Sequence, residues 1–244
     1  MDKILSQFSQ YEIKARLFPA LLLLSPFLFT ILVWYPELIS LGSSILVIAI
    51  FIITLFFLAK YCREMGVKKQ DELLKEWGAF PSLLILRHRD SVIDPVTKSR
   101  YHSFLQEKVK GIQLPTPNEE IENPEYYDIQ YKSAIKWLLE YTRDSNKYSL
   151  LQQDNINYGF SRNMLGVKSL GILFTILAVG VNIYGIYNEY GFNSLMLPLV
   201  TWISLLINVG FFLFWLFFVN ENWVRSTSYA YARTLLACCE NNID

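Results

Sequence analysis

The 244-residue chain is 52% apolar and 16% aromatic, and its 22 Lys and Arg residues balance 22 Asp and Glu residues to zero net charge. Apolar residues gathered into long blocks exclude an ordinary soluble domain, and zero net charge excludes a uniformly basic, nucleic-acid-coating surface. A helix crossing a bilayer core needs about 20 mostly apolar residues, and four windows meet that requirement.

The opening stretch "MDKILSQFSQYEIKAR" places Ile4, Leu5, Phe8 and Tyr11 on one side of a helix. That pattern fits a short anchoring lead-in to the first span, or a helix lying in the membrane interface. The expected spans are Leu17 to Trp34, Ile39 to Ala59, Leu170 to Tyr187 and Leu195 to Val219. No Asp, Glu, Lys, Arg or His interrupts them. A cleaved signal peptide is the competing reading of the first window. Pro19, Pro26 and the lack of a small-residue cleavage site before Tyr35-Pro36 argue against it.

The short connections Tyr35 to Leu38 and Asn188 to Ser194 contain no Lys or Arg, so all 22 basic residues lie in the tails and the central segment. Basic residues beside spans stay on the cytoplasmic side, which places both termini and the central segment in the cytoplasm. Trp34, Tyr35, Tyr187 and Tyr190 fall where an interfacial aromatic belt belongs. The expected fold is predominantly α-helical, with four transmembrane helices in two hairpins around a mainly helical cytosolic domain. Its parts are an amino-terminal tail and hairpin (1–59), the cytosolic domain (60–168), a second hairpin (169–219) and a cytosolic carboxy-terminal helix (220–244).

Within the central segment, Asp94-Pro95 and Asn123-Pro124 each combine a capping side chain with proline at the first helical position. They open "PVTKSRYHSFLQEKV" and "PEYYDIQYKSAIKWLLEYTR", and Asp128 is placed to pair with Lys132 one turn on. Between them, "GIQLPTPNEEIENP" reads as a mobile proline-rich loop, and "SLLILRHRD" fits a strand or a helix equally. From Ser43 to Met65, and from Phe211 to the carboxy terminus, neither glycine nor proline intervenes. Two helices are therefore expected to cross the membrane boundary unbroken, the second running through "NENWVRSTSYAYARTLLACCE".

The chain lacks a phosphate-binding glycine loop, a G-x-S-x-G elbow and an H-E-x-x-H pair, which points away from an enzyme and from a bound cofactor. Cys62, Cys238 and Cys239 fall on the reducing side under this topology, so disulfides are not expected. No ligand-like spacing joins them to His88 or His102, and no metal site is expected.

Basic residues interleaved with aromatics mark the cytosolic part instead. Arg87, His88 and Arg89 form one cluster, and Lys98, Arg100 and Tyr101 with His102 form another. Arg225, Tyr229 and Arg233 recur at every fourth position, a guanidinium–phenol–guanidinium stripe suited to phosphates and a stacked base. The alternative is a solvated or subunit-pairing face, with Asp90 and Asp94 neutralising the nearby arginines.

Polar residues also enter the spans. Lys168, Thr175, Asn182 and Glu189 recur every seventh residue, with Gly171, Ala178 and Gly185 forming a close-packing strip beside them. Thr201, Ser204 and Asn208 share one face of the last span. These side chains either hydrogen-bond between helices or line a pore shared by several subunits, and the expectation for Ser204 and Asn208 is pore lining.

The blocks "LRHRDSVIDPVTKSRYHSFL", "WLLEYTRD", "YGFSRNMLGVKSLG" and "NWVRSTSYAYARTLLACC" resemble bacterial membrane proteins of anti-phage defence operons, in particular the channel-forming effectors of the Hailong system. The resemblance implies an ion channel acting in abortive infection, assembled as a homo-oligomer with a tetramer as the expected form. It also implies a cytosolic ligand made by a partner nucleotidyltransferase, and short single-stranded DNA that holds the channel closed. The non-conducting alternative is a membrane-anchored binding module or scaffold.

Overall fold

The computed structural model describes residues 9–37, 45–191 and 197–240, and every regular element among them is helical. In chain order these are α1 (Glu12–Trp34), α2 (Ile45–Trp77), α3 (Pro81–Leu86), α4 (Pro95–Lys108), α5 (Pro117–Glu122) and α6 (Pro124–Tyr141). They are followed by α7 (Ser149–Gly166), α8 (Lys168–Tyr190), α9 (Leu199–Phe218) and α10 (Glu221–Ala237). Ile4, Leu5 and Phe8 lie outside the described residues, as do Ile39 to Ser44, residues 192–194 of the second connection, and Leu195 and Met196 at the start of the last expected span.

Among the described residues three helices, α1, α8 and α9, are long and apolar enough to cross a membrane. The remaining expected span, Ile39 to Ala59, begins outside the described residues, and its described part is the start of α2. That helix continues without a break to Trp77, as its lack of glycine and proline near the boundary predicts. Gly78 ends it with φ +86°, and Gly191 ends α8 with φ +53°; both are left-handed C′ positions that only glycine fills without strain.

The chain forms two compact units, Met1–Gln70 with Gly159–Val224, and Asp71–Tyr158 with Arg225–Asp244. Residues 60–70 and 159–168, which the sequence groups with the central segment, thus belong to the first unit.

In the first unit α1, α8 and α9 pack against one another. The small-residue strip of α8 is the seam. A Cβ on Gly171 would stand 2.3 Å from the Trp215 ring and one on Gly185 would stand 2.6 Å from the Trp34 ring, while Ala178 is fully buried. A second close crossing joins α2 to α7, where a Cβ on Gly166 would meet the Gly66 backbone nitrogen at 2.4 Å.

The expected unbroken rod from the last span to the carboxy terminus is not formed. The helix winds into a π-helical turn at Phe214–Phe218 and Val219 is extended, with φ −78° and ψ 97°. Side chains take over the main-chain groups freed there. Lys168 donates to the Leu216 carbonyl at 3.1 Å, and the Asn220 amide donates to that of Phe217 at 2.9 Å. The Asn220 Oδ1 also accepts from the Trp223 amide at 2.9 Å, so asparagine caps the new helix α10 where no glycine or proline marks a boundary.

The second unit buries a core of Leu83, Ile85, Leu86, Tyr101, Leu105, Tyr131, Leu138, Leu235 and Leu236, among others. Asp94 and Asn123 cap α4 and α6 as the sequence predicts, accepting from Thr97 and Tyr126 amides. The "SLLIL" stretch is helical, as α3. The expected proline-rich loop holds a helix, α5, fixed by a capping box in which Thr116 and Glu119 satisfy each other's backbone amides.

Candidate functional site

The arginine and histidine clusters of the second unit turn inward on a carboxylate that the sequence reading passed over. Glu120, only 2% exposed, accepts from the Tyr131 hydroxyl at 2.6 Å and from the His88 and Arg89 amides at 2.8 and 3.4 Å. Burial pushes its carboxyl up, but these hydrogen bonds and the Arg89 charge outweigh it and hold the group below the usual range. His88 Nε2 lies 2.8 Å from the Pro115 carbonyl, and its ring meets that of His102 edge-on, with centroids 4.5 Å apart. His102 is buried, its Nε2 2.9 Å from the Leu86 carbonyl, and burial lowers its pKa to about 4.

The arginines nearby are neutralised by partners other than Asp90 and Asp94. Arg87 forms a two-pronged pair with Asp128, its Nε donating at 2.8 Å, and Arg89 reaches Asp128 and Glu120 at 3.6 and 3.8 Å. Asp128 is thus held across the unit rather than by Lys132 one turn away. Asp94 caps α4, and the Asp90 carboxylate accepts from the Val92 amide. Lys98, expected on a ligand face, is 2% exposed and donates at 2.6 Å to both the Arg87 and Asp90 carbonyls. Burial lowers its pKa against the charges of Asp90, Glu120 and Asp94. Tyr101 is likewise in the core, and burial followed by the Glu240 charge pushes its phenol up to about 12. Arg100 pairs with Glu240 at 2.6 Å. Arg87, His88, Lys98 and Tyr101 therefore clamp α3, α4 and α6 together, and burial removes Lys98 and Tyr101 from contact with an external ligand.

The α10 stripe is different. Arg225 and Arg233 are exposed, and neither forms an ion pair with a carboxylate among the described residues. The Arg225 guanidinium stands 5.7 Å from the Tyr229 ring centroid, with Tyr229 half-buried against the core. Two guanidinium groups and a phenol anchored from beneath offer charge for phosphates and an aromatic face for a base. A separate cavity of about 170 Å³, lined by residues including Thr142, Tyr148, Gln152, Asn155 and Tyr231, is below the roughly 300 Å³ of a typical small-molecule site.

In the first unit the polar residues of the spans meet each other. Asn182 Nδ2 donates to Thr30 Oγ1 at 2.9 Å, while Asn182 Oδ1 accepts from Ser204 Oγ at 3.0 Å and from Trp34 Nε1 at 2.9 Å. Asn208 Nδ2 donates to the same Thr30 oxygen at 3.0 Å. Thr30, which the sequence did not single out, thus joins α1 to both α8 and α9. Thr175 donates only to the Gly171 carbonyl of its own helix. Thr175, Asn182, Thr201, Ser204 and Asn208 are all at most 2% exposed in a single chain. Within a single chain Ser204 and Asn208 lie among the three helices, where Ser204 bonds to Asn182 and Asn208 to Thr30. Arg16 Nε, Asn208 Oδ1 and Trp215 Nε1 are the buried side-chain polar atoms without a partner among the described residues.

No family model matches the chain, and neither a curated protein nor a solved structure matches it. Among the described residues no group of three His, Cys, Asp or Glu side chains is placed to hold a metal ion. Cys62, Cys238 and Cys239 are buried and form no disulfide among the described residues, and burial pushes the Cys239 thiol up to about 12.

Proposed function

We propose that the chain is a homo-oligomeric, four-span channel of the bacterial inner membrane, with both termini and the second unit in the cytoplasm. It acts as a non-catalytic anti-phage effector gated by an anionic nucleic-acid or nucleotide ligand from a partner nucleotidyltransferase, with short single-stranded DNA as the closing ligand. The single observation that carries the ligand reading is the pair of exposed, carboxylate-free arginines flanking Tyr229 on α10, the helix that begins three residues after the last apolar span ends. Arg87, Arg89 and Arg100 are spent on internal pairs, whereas the two arginines of the stripe are not.

Conduction is supported by the sequence resemblance and by the broad apolar faces that α8 and α9 leave outward, among them Leu173, Ile176, Leu177, Val200, Ile203 and Leu206. Such faces fit lipid or neighbouring copies. The conducting path then runs between copies, along surfaces other than the Thr30–Asn182–Ser204–Asn208 network. The burial of that network within one chain favours a second reading, a non-conducting membrane-anchored binding module. Proteoliposomes loaded with a potential-sensitive dye test both. Channel behaviour predicts an ion flux that a short single-stranded oligonucleotide suppresses. Saturable oligonucleotide binding without flux leaves the anchored module, and absence of both sinks the ligand reading as well.

A further inference from the structure

At the end of the first unit's bundle where α8 begins and α9 ends, Lys69, Leu165, Gly166, Lys168, Ser169, Asn220 and Glu221 line a cavity of about 420 Å³. That volume lies within the roughly 300 to 1,000 Å³ range of small-molecule sites. Its position follows from the sequence. Lys168 is the first residue of one apolar span and Phe218 the last of another, so the cavity opens where hydrocarbon gives way to water. Leu216, Phe217 and Phe218, in the π-helical turn beside it, are exposed apolar side chains.

The charged side chains that line the cavity are the ammonium groups of Lys69 and Lys168 and the carboxylate of Glu221. Lys69 pairs with Glu221 at 3.1 Å, while Lys168 gives one of its three donors to the Leu216 carbonyl. Lys168 thus keeps two N–H donors for an anion, and it forms no ion pair among the described residues. The Ser169 hydroxyl is exposed nearby, and no side chain caps the first turn of α8. Ammonium groups beside apolar surface at a membrane boundary match one molecule with both parts, a phospholipid whose head carries a net negative charge. We infer that this cavity is a binding site for an anionic phospholipid, its phosphate held by Lys69 and Lys168 and its acyl chains lying along Phe217 and Phe218. The inference depends on the membrane reading of α8 and α9 but not on conduction or on the α10 stripe.

The test uses the full chain, reconstituted in phosphatidylcholine bilayers containing a minor fraction of phosphatidylglycerol. Lipid retained after gentle detergent extraction is counted by native mass spectrometry. The wild-type protein retains phosphatidylglycerol in preference to phosphatidylcholine. Lys69→Gln and Lys168→Gln each lower that preference about fivefold, the effect expected of one basic residue near an anionic surface. Lys168→Arg retains it, which separates charge from the helix-capping contact. Glu221→Gln raises the preference by a similar factor because it removes the competing carboxylate. A preference unmoved by Lys69→Gln and by Glu221→Gln overturns the site. Displacement of the lipid by millimolar glycerol phosphate assigns the cavity to a soluble anion and overturns the lipid assignment. Membrane fractions washed at alkaline pH test the membrane reading itself: release of the chain into the wash sinks that reading, whereas a retained chain without lipid preference sinks only the site.

Discussion

Replacing Asn182 by leucine separates interhelical bonding from every other role of the polar residues in the spans. The wild-type side chain bonds Thr30 and Trp34 on α1 and Ser204 on α9. Interhelical hydrogen bonds in membranes average about 0.6 kcal/mol and reach about 1.7, so losing three costs about 2 kcal/mol and at most about 5. Leucine also strands the Trp34 and Ser204 donors in an apolar bundle, which pushes the cost towards the upper value. Asn208→Leu breaks one interhelical bond and removes an unpartnered acceptor, so its cost falls within about 1 kcal/mol. Thr175→Val loses only a bond within its own helix and costs least of the three. Reversible unfolding in mixed micelles of rising denaturing-detergent content, followed by tryptophan fluorescence and circular dichroism, measures the series. Equal losses for Asn182→Leu and Thr175→Val would refute the argument, because the three interhelical contacts would then contribute nothing.

Acid should weaken the second unit. The folded-state pKa of His102, about 4, lies below the ordinary value near 6.5, so the unfolded chain takes up its proton first; stability falls as pH drops from about 6.5 to 4, by up to about 3 kcal/mol. Glu120, held below its usual value, adds to this loss at the acidic end, and urea titrations at stepped pH check the direction. Arg225→Ala with Arg233→Ala should weaken single-stranded oligonucleotide binding at least tenfold and flatten its dependence on salt, measured by fluorescence anisotropy; Tyr229→Ala should cost less. Reporter domains inserted at the exposed Lys110–Gly111 turn and fused after Asp244 should both register cytoplasm, and a periplasmic signal from either would overturn the orientation. Gly185→Leu should disrupt the α1–α8 seam, because the space its side chain needs is already filled by the Trp34 ring; a normal thermal transition would contradict that packing.

What the sequence reveals here is what is local. Asp94 and Asn123 announce their helices because a cap and a proline act within one turn, and the same logic makes α5 legible in retrospect from Thr116, Pro117 and Glu119, once the neighbouring prolines are not taken as a loop. The break after the last span is harder to read. Asn220 is a cap, but the reasons the chain bends there include the Lys168 ammonium on the Leu216 carbonyl, a contact 48 residues away in sequence. Arg87 illustrates the same limit, since its nearest acidic neighbours in sequence are Asp90 and Asp94, whereas its partner is Asp128, 41 residues on.

The spans carry this distinction furthest. Seven-residue spacing identifies the buried strip of α8, and the glycines within it meet the tryptophans they are small enough to admit. Periodicity assigns a face to Asn182 and another to Ser204 and Asn208; it contains no term for what lies opposite. Thr30, one of two hydroxyl side chains in its span, accepts from both asparagines and draws their polar surface inside the bundle. A conducting assembly built from this chain must therefore draw its pore from faces that are apolar in the single chain, or rearrange the three helices that Thr30 joins. The second route requires breaking the bonds whose cost the Asn182 series measures, which makes that series a bound on how readily the bundle opens.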